Sequence, residues 1–209
     1  GYIETKPLVY DNLVIFGAWD KNLYALDKKT GKEVWKWHEG KPGRFYSAAA
    51  VWPVAANGKV FIADPERALT AIDASTGKTV WRTKESMVRE TVGLSEDKRR
   101  IYSKTMNDSV VCYSATTDFP EKIWASNVGF GYEHAPSMPV EKEGVVFGST
   151  KNGLMFGLDA HTGKVLWKHK VGNSLISTLV PLSKNKCLFT ATDGEIGLLV
   201  IDYKINKHK

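Results

Sequence analysis

Hydrophobic and polar residues follow a repeating order along this chain. Short apolar runs with a period of two alternate with polar turns of two to five residues. In the first copy the expected strands cover roughly residues 5–10, 13–18, 22–27 and 32–37. Four such runs joined by hairpin-length turns predict a four-stranded antiparallel meander.

The last turn and last strand of each unit carry the clearest repeat. The pattern Asp-x-x-Thr-Gly-Lys-x-x-Trp occupies residues 27–35, 73–81 and 159–167, with five positions identical in all three copies. A degraded copy lies between the second and third, where Ser114 replaces the Asp and Asp118 replaces the Gly before Trp124. The tryptophans are therefore 46, 43 and 43 residues apart.

The repeated residues have structural roles. An Asp carboxylate and a Thr hydroxyl can hold backbone N–H groups of a tight turn in which Gly takes a positive φ. A Trp on the outermost strand can fill the gap that widens between neighbouring sheets. The residues assigned to this structural repeat are Asp27, Gly31, Trp35, Asp73, Gly77, Trp81, Trp124, Asp159, Gly163 and Trp167.

Units of 40 to 50 residues with four strands each predict a β-propeller, because one meander cannot bury both of its faces alone. We expect a single all-β domain over residues 1–209, with about five blades at 5–37, 46–83, 90–126, 134–169 and 174–203. The fifth copy begins with residues 187–189 and 198–202, with Asp202 read as the turn aspartate, and it lacks its last strand. Its unpaired edge predicts a liability to dimerise through that strand.

These repeats resemble the pyrroloquinoline-quinone (PQQ) type of propeller repeat, for which residues 17–27, reading Gly-Ala-Trp-Asp-Lys-Asn-Leu-Tyr-Ala-Leu-Asp, are a close match. The likeness covers nearly the whole chain. Similar repeats occur in quinoprotein dehydrogenases, in outer-membrane assembly lipoproteins and beside phosphoesterase domains, so the resemblance fixes the fold and leaves the activity open. It implies a periplasmic or secreted bacterial protein.

Seven or eight blades are usual for proteins with such repeats, and this chain supplies fewer. Two explanations stay open. Residues 2–4 could complete the fifth blade as its outer strand and close a small ring, or the chain could be part of a longer propeller.

Composition narrows the classes of partner. The net charge of +6 comes from Lys spread along the whole chain, whereas nucleic-acid binding requires a concentrated basic face, so no nucleic acid is expected. No apolar stretch approaches the roughly 18 residues of a membrane span. Cys112 and Cys187, the only cysteines, are 75 positions apart in apolar runs and are expected to be free buried thiols.

No cofactor, metal ion or catalytic residue is expected. Enzymes with PQQ-type repeats hold the quinone with a calcium ion and stack it between a Trp and a disulfide of adjacent cysteines, and no adjacent pair exists here. The sequence has no Gly-x-Ser-x-Gly motif, and its five histidines lack metal-ligand spacing.

The connections from each blade's last strand to the next blade's first strand, with the turn at residues 19–21, should open on one side of the propeller, which we call the loop face. Aromatic and charged residues there predict a surface that binds a protein, peptide or glycan partner. The expected residues are Trp19, Arg44, Phe45, Tyr46, Arg89, Glu90, Phe130, Tyr132, Glu133 and His134.

The leading hypothesis is a non-catalytic propeller module that binds or scaffolds a partner within a larger extracytoplasmic protein. The alternative is an accessory domain of an enzyme such as a secreted metallophosphoesterase, in which Arg89, Glu90, Tyr132 and His134 help to hold the substrate. A fragment of a quinoprotein dehydrogenase is a third interpretation.

Overall fold

The structure is a computed structural model that describes residues 3, 6–38, 52–133 and 137–203. All regular elements in these ranges are β-strands, arranged in five antiparallel sheets. Within the same ranges no helix has the length and apolar character that crossing a bilayer requires. The prediction of an all-β propeller built from four-stranded antiparallel blades is confirmed.

Each sheet is a meander whose strands follow one another in sequence order. The strands of the first and second blades are β1 Leu8–Tyr10, β2 Leu13–Gly17, β3 Leu23–Asp27, β4 Glu33–Trp37, β5 Val54–Ala56, β6 Lys59–Ala63, β7 Leu69–Asp73 and β8 Thr79–Thr83. Those of the third and fourth are β9 Val88–Leu94, β10 Arg100–Thr105, β11 Asn107–Ser114, β12 Lys122–Tyr132, β13 Val140–Lys142, β14 Val145–Ser149, β15 Leu154–Asp159 and β16 Val165–Lys170. The fifth comprises β17 Ile176–Ser183, β18 Lys186–Ala191 and β19 Ile196–Val200.

Burial along the strands shows how the blades stack. Strands β6, β10 and β14 of the second, third and fourth blades are buried at every position. In the first and fifth blades, strands such as β4 and β18 alternate between buried and exposed positions. The three central sheets therefore have neighbours on both faces, whereas the described part of the chain covers only one face of each terminal sheet.

Four hydrophobic clusters join the blades in sequence order. Residues of the first and second blades share one cluster, and the second and third, third and fourth, and fourth and fifth blades share the others. We call the face of a blade that packs on its successor the forward face and the opposite one the rear face. The inner strands approach closely, since a Cβ on Gly93 would lie 2.1 Å from the carbonyl oxygen of Pro139.

The tryptophan of the outer strand lies against the turn of the following blade. Trp35 is buried, and its indole Nε1 donates to the carbonyl oxygen of Ala74 at 2.8 Å. A Cβ on Gly77 would come within 2.8 Å of that indole. Trp124 repeats the arrangement against Ala160 and Gly163. The Thr-Gly turn of one blade is thus the packing site of the indole from the preceding blade.

The aspartate of the turn holds the turn backbone on which the indole packs. One carboxylate oxygen of Asp27 accepts hydrogen bonds from the backbone N–H groups of Lys29 and Thr30 and from the Thr30 hydroxyl, at 2.7 to 3.0 Å. Asp73 and Asp159 make the same set of bonds. Gly31, Gly77 and Gly163 have φ values of 70°, 71° and 73°, as the turn requires.

The degraded turn of the third blade gives Trp81 a packing site without the usual hydrogen bond. Trp81 is buried and stacks on Tyr113 with ring centroids 6.3 Å apart, but its indole N–H has no hydrogen-bond partner among the described residues. The carbonyl of Ala115, which stands where Ala74 and Ala160 stand, accepts instead from the Asn57 side chain at 3.3 Å. Loss of the Asp and Gly therefore coincides with loss of the indole hydrogen bond.

The fifth sheet contains three strands in the described residues, in the order β17-β18-β19. Residues 2–4 are the predicted outer strand of a closed ring; residues 2 and 4 lie outside the described ranges, and Ile3 belongs to no strand. The strand pairing of this sheet also aligns the fifth copy with the other blades differently from the sequence pattern, which aligned it on Asp202. Val200 pairs with Lys186 as Asp27 pairs with Leu13, so Val200 and not Asp202 stands at the position of the conserved turn aspartate.

Candidate functional site

An extension of the third blade's outer strand builds the central part of the loop face. Strand β12 has 11 residues, and its pairing with β11 is interrupted by a bulge between the pairs Asn107–Tyr132 and Ser109–Asn127. Gly129 and Gly131 adopt positive φ values of 74° and 76° within the extension. Because these glycines bend the strand away from the regular ladder, the residues at its end project over the loop face.

Tyr132 is the exposed centre of this region. The residue is 51% exposed, and its hydroxyl accepts a hydrogen bond from Arg89 Nη1 at 3.2 Å. The ammonium group of Lys151, from the turn between β14 and β15 of the fourth blade, lies 5.0 Å from the ring centroid. The phenol ring is therefore held between two cations contributed by neighbouring blades, an arrangement that a cation–π interaction stabilises.

Buried polar side chains join the third and fourth blades next to Tyr132 in the chain. Glu133 is 2% exposed, and its Oε2 accepts from the backbone N–H of Lys151 at 3.1 Å. The buried ammonium of Lys104 donates to the Ser137 hydroxyl and the Ser149 carbonyl, both at 2.9 Å. These bonds connect the third blade to the fourth, which favours a rigid junction between them.

Phe130 and Trp19, two other predicted loop-face residues, differ in burial and in the blade to which they belong. Phe130 stacks on Phe156 with centroids 5.9 Å apart and packs against the cluster between the third and fourth blades. Trp19 is 43% exposed in the turn between β2 and β3 of the first blade. The structure thus brings together Arg89, Tyr132 and Glu133 at the junction of the third and fourth blades, while Trp19 belongs to the first blade.

Several predicted residues lie outside the described part of the chain. Arg44, Phe45, Tyr46 and His134 belong to the ranges 39–51 and 134–136. Glu90 has a described backbone in β9 but no described side chain. For these five residues the predicted role stays a prediction.

A cavity of about 330 Å³ opens beside this region in the third blade. Residues 85–87, which connect the second blade to the third, form one wall, and residues 105–107 of the turn between β10 and β11 form another. The hydroxyls of Ser86 and Tyr113 are 3.0 Å apart at its edge. The cavity can admit a side chain of a partner and has no catalytic constellation.

The described residues do not fit a quinone cofactor with its cation. No group of three or more His, Cys, Asp or Glu side chains within them could hold a metal ion. Cys112 and Cys187 are buried in the third and fifth blades and are free. Burial raises the pKa of both thiols, that of Cys187 to about 11, so both stay protonated at neutral pH.

Lys151 and Lys104 were missed by the sequence analysis. Lys151 occupies the same turn of the fourth blade as Trp19-Asp20-Lys21 in the first, so its place on the loop face followed from the repeat. Lys104 stands within a strand at a position occupied by Gly17 and Ala63 in the first two blades. A lysine at a repeat position that otherwise carries a small, buried residue was the sequence feature that could have identified Lys104.

Comparison with known proteins agrees with this geometry. The family profile described as outer membrane protein assembly factor BamB matches residues 1–115 and 107–205. The structure of BamB from Moraxella catarrhalis superposes with a TM-score of 0.73 at 19% identity, covering 95% of this chain and 59% of that one. The computationally designed Ika8 protein gives 0.76 at 18%, covering 93% and 57%. No curated protein matches the chain.

The chain thus spans less than two thirds of the length of these solved structures, and at such identities they establish the fold alone. The family profile, by contrast, covers nearly every residue in two overlapping matches. The chain belongs to the outer membrane protein assembly factor BamB family, and its repeats are propeller repeats of the PQQ type.

Proposed function

We propose that this chain is a non-catalytic scaffolding module that holds a protein partner at its loop face during outer-membrane protein assembly, on the periplasmic side of that membrane. Membership of the BamB family supports the process and the compartment. The observation that supports the site is Tyr132, an exposed aromatic ring fixed between Arg89 and Lys151.

A protein partner fits this surface better than a small molecule does. Aromatic and Arg residues are enriched at the points of protein interfaces that contribute most to affinity. A ring that is already held loses little conformational entropy on binding, so its contact area translates more fully into affinity. The adjacent cavity of about 330 Å³ provides room for one side chain of the partner.

The proposal can be tested in the natural polypeptide that contains this chain. In cells that lack the polypeptide, the wild-type form should restore outer-membrane protein levels, and Tyr132→Ala should restore them much less. Lys29→Ala is the matched control, because Lys29 is an exposed residue of the turn on the opposite side of the first blade. It should behave as wild type.

A photo-crosslinking residue in place of Tyr132 should form an adduct with another component of the assembly machinery, and one in place of Lys29 should not. In the polypeptide that keeps Tyr132, Arg89→Ala should also lower the restoration of outer-membrane protein levels, because the phenol hydroxyl loses the hydrogen bond from Arg89. Full restoration by Tyr132→Ala together with the absence of any adduct would refute the loop face as the binding site.

A further inference from the structure

The turn between β14 and β15 places Lys151 at a position where other blades carry an uncharged residue. The backbone hydrogen bonds that close this turn recur in the first, second and fifth blades, where the equivalent residues are Trp19, Pro65 and Thr192. The backbone N–H of Lys151 donates to the buried carboxylate of Glu133 at 3.1 Å, which fixes the turn on the third blade. The fourth blade therefore adds a cation to the loop face where the repeat does not require one.

The Lys151 ammonium contacts an aromatic ring and forms no ion pair within the described residues. It lies 5.0 Å from the centroid of the Tyr132 ring. The second blade treats a cation at this end of its sheet differently. Arg82 Nε lies 2.6 Å from the Asp64 carboxylate, and Arg82 Nη2 lies 3.0 Å from that of Glu66. Arg82 is thus neutralised by its own blade, whereas Lys151 is not.

A second lysine of the fourth blade lies along the same extension of β12. Lys168 Nζ donates to the carbonyl oxygen of Val128 at 2.9 Å and likewise forms no ion pair within the described part of the chain. On the other side, Arg89 of the third blade donates to the Tyr132 hydroxyl. Three cationic side chains therefore flank the strand extension that carries the exposed ring.

A partner that covers Tyr132 also covers the Lys151 ammonium, because the two groups are in contact. Removing an ammonium group from water is unfavourable unless a negative charge accompanies it, and an aromatic ring compensates for only part of the lost hydration. We infer that the protein partner of the loop face carries an aspartate or glutamate whose carboxylate binds Lys151 beside Tyr132. This inference rests on the proposed function and adds the charge of the residue that the partner contributes.

The surroundings of the ring favour a protein carboxylate over the phosphate of a lipid. The cavity of about 330 Å³ has Met87 and Met106 in its walls, and the Met106 carbonyl accepts from the N–H of Glu133, the residue after Tyr132. A protein segment can place an apolar side chain in this cavity and a carboxylate on the neighbouring lysine. A lipid surface would instead require a concentrated basic face, and the lysines of this chain are spread along its whole length.

Photo-crosslinking from residue 152 tests the inference with the three contacting side chains left in place. Asn152 is exposed and follows Lys151 directly. In cells that carry the natural polypeptide, Lys151→Glu should lower the yield of the adduct with the assembly machinery at least about tenfold, because an attraction becomes a repulsion. Lys151→Arg should keep the adduct. Lys29→Glu, the same charge reversal in the exposed turn on the opposite side of the first blade, is the control and should leave the yield unchanged.

A compensating charge in the partner gives the sharpest result. Cells with Lys151→Glu should regain outer-membrane protein levels when one Asp or Glu of another component of the assembly machinery is replaced by Lys or Arg. The adduct from residue 152 should return at the same time. Lys151→Gln, which removes the charge without reversing it, should give a yield between those of the wild type and Lys151→Glu. Near-equal unfolding midpoints of the variants and the wild type would show that all of them fold.

Three outcomes would overturn the inference. The first is an undiminished adduct in Lys151→Glu. The second is a yield in Lys151→Gln as low as in Lys151→Glu with no compensating charge in a partner, since the lysine would then only support the ring. The third is binding to phosphatidylglycerol vesicles that Lys151→Glu abolishes, which would assign the cation to a lipid phosphate. If Tyr132→Ala still impairs assembly, only this inference fails; if Tyr132→Ala also acts as wild type and forms no adduct at 132, the proposed function fails with it.

Discussion

At the level of single residues, the glycine of the repeated turn meets two separate demands. Gly31, Gly77 and Gly163 share a φ near 70° that side chains adopt only with strain. Gly77 and Gly163 also lie under an indole of the preceding blade, whereas a Cβ on Gly31 would meet nothing within 4 Å. The repeat therefore contains an internal comparison between backbone conformation and packing.

Alanine substitution should separate these two demands. Gly31→Ala should lower the free energy of unfolding by roughly 1–2 kcal/mol, the cost of the left-handed backbone alone. Gly77→Ala should lower it by about 1–3 kcal/mol more, because the new Cβ would lie 2.8 Å from the Trp35 ring and force it to move. Urea denaturation of both variants measures the difference. Equal losses would show that the indole contact contributes nothing.

The two environments of the repeat tryptophan allow a second comparison. Trp35→Phe removes the hydrogen bond to Ala74 and leaves a buried carbonyl without it, whereas Trp81→Phe removes an N–H that has no partner among the described residues. We expect Trp35→Phe to cost about 1–3 kcal/mol more in unfolding free energy than Trp81→Phe. Guanidinium denaturation of both proteins checks this, and a larger loss for Trp81→Phe would contradict it.

The turn aspartates make stability depend on acid. Hydrogen bonds from the Ser75 and Thr76 side chains and from the Thr76 N–H lower the pKa of Asp73. A lowered folded-state pKa stabilises the protein above the ordinary Asp value of about 4, and this contribution is lost as the pH falls through the folded-state pKa. Acid should therefore weaken the turn.

Asp73→Asn should be less stable than the wild type by about 1 kcal/mol at pH 7, since it loses charge-assisted hydrogen bonds. The difference should begin to shrink below about pH 4, where Asp73 of the unfolded chain takes up a proton, and should vanish as the pH falls through the lowered pKa of the folded carboxylate. Urea denaturation at pH 7 and pH 3 measures it. A difference that stays constant between the two pH values would show that the carboxylate charge does not act on this turn.

At the level of strands and blades, the sequence predicted what the repeat determines. The Thr-Gly turns and the outer-strand tryptophans followed from local pattern, because their hydrogen bonds lie within five residues. The 11-residue strand β12 did not, since its bulge depends on contacts with Asp108 and Met106. Sequence pattern also aligned the fifth copy on Asp202, whereas strand pairing places Val200 at that position.

The loop face shows the same limit. Composition identified aromatic and charged residues in the connections, but only the blade packing brings Lys151 of the fourth blade within 5.0 Å of Tyr132 of the third. Phe130 packs on Phe156 and is partly buried, whereas Tyr132 is more exposed beyond Gly131, whose φ of 76° interrupts the regular strand; the binding role of Phe130 stays a prediction. Which residue of an aromatic pair is exposed depends on register.

At the level of the whole molecule, the blades form a one-dimensional series in which each sheet is stabilised by its immediate neighbours. The four clusters each join two consecutive blades, and the described residues give no cluster that joins the fifth blade to the first. Stability in such an array is approximately a sum of the blades' own terms and nearest-neighbour interfaces. A blade with one neighbour should therefore open more readily than a blade with two.

Amide hydrogen exchange of the 209-residue chain tests this gradient. Strands β6, β7, β10, β11, β14 and β15 lie in sheets covered on both faces and should exchange slowest. Strands β2, β3, β18 and β19 are paired just as regularly, but every second side chain along them is incompletely buried. Their amides should therefore exchange faster despite intact hydrogen bonds. Uniform protection across all five sheets of the monomer would mean that the propeller opens as one cooperative unit, and the nearest-neighbour description would then fail.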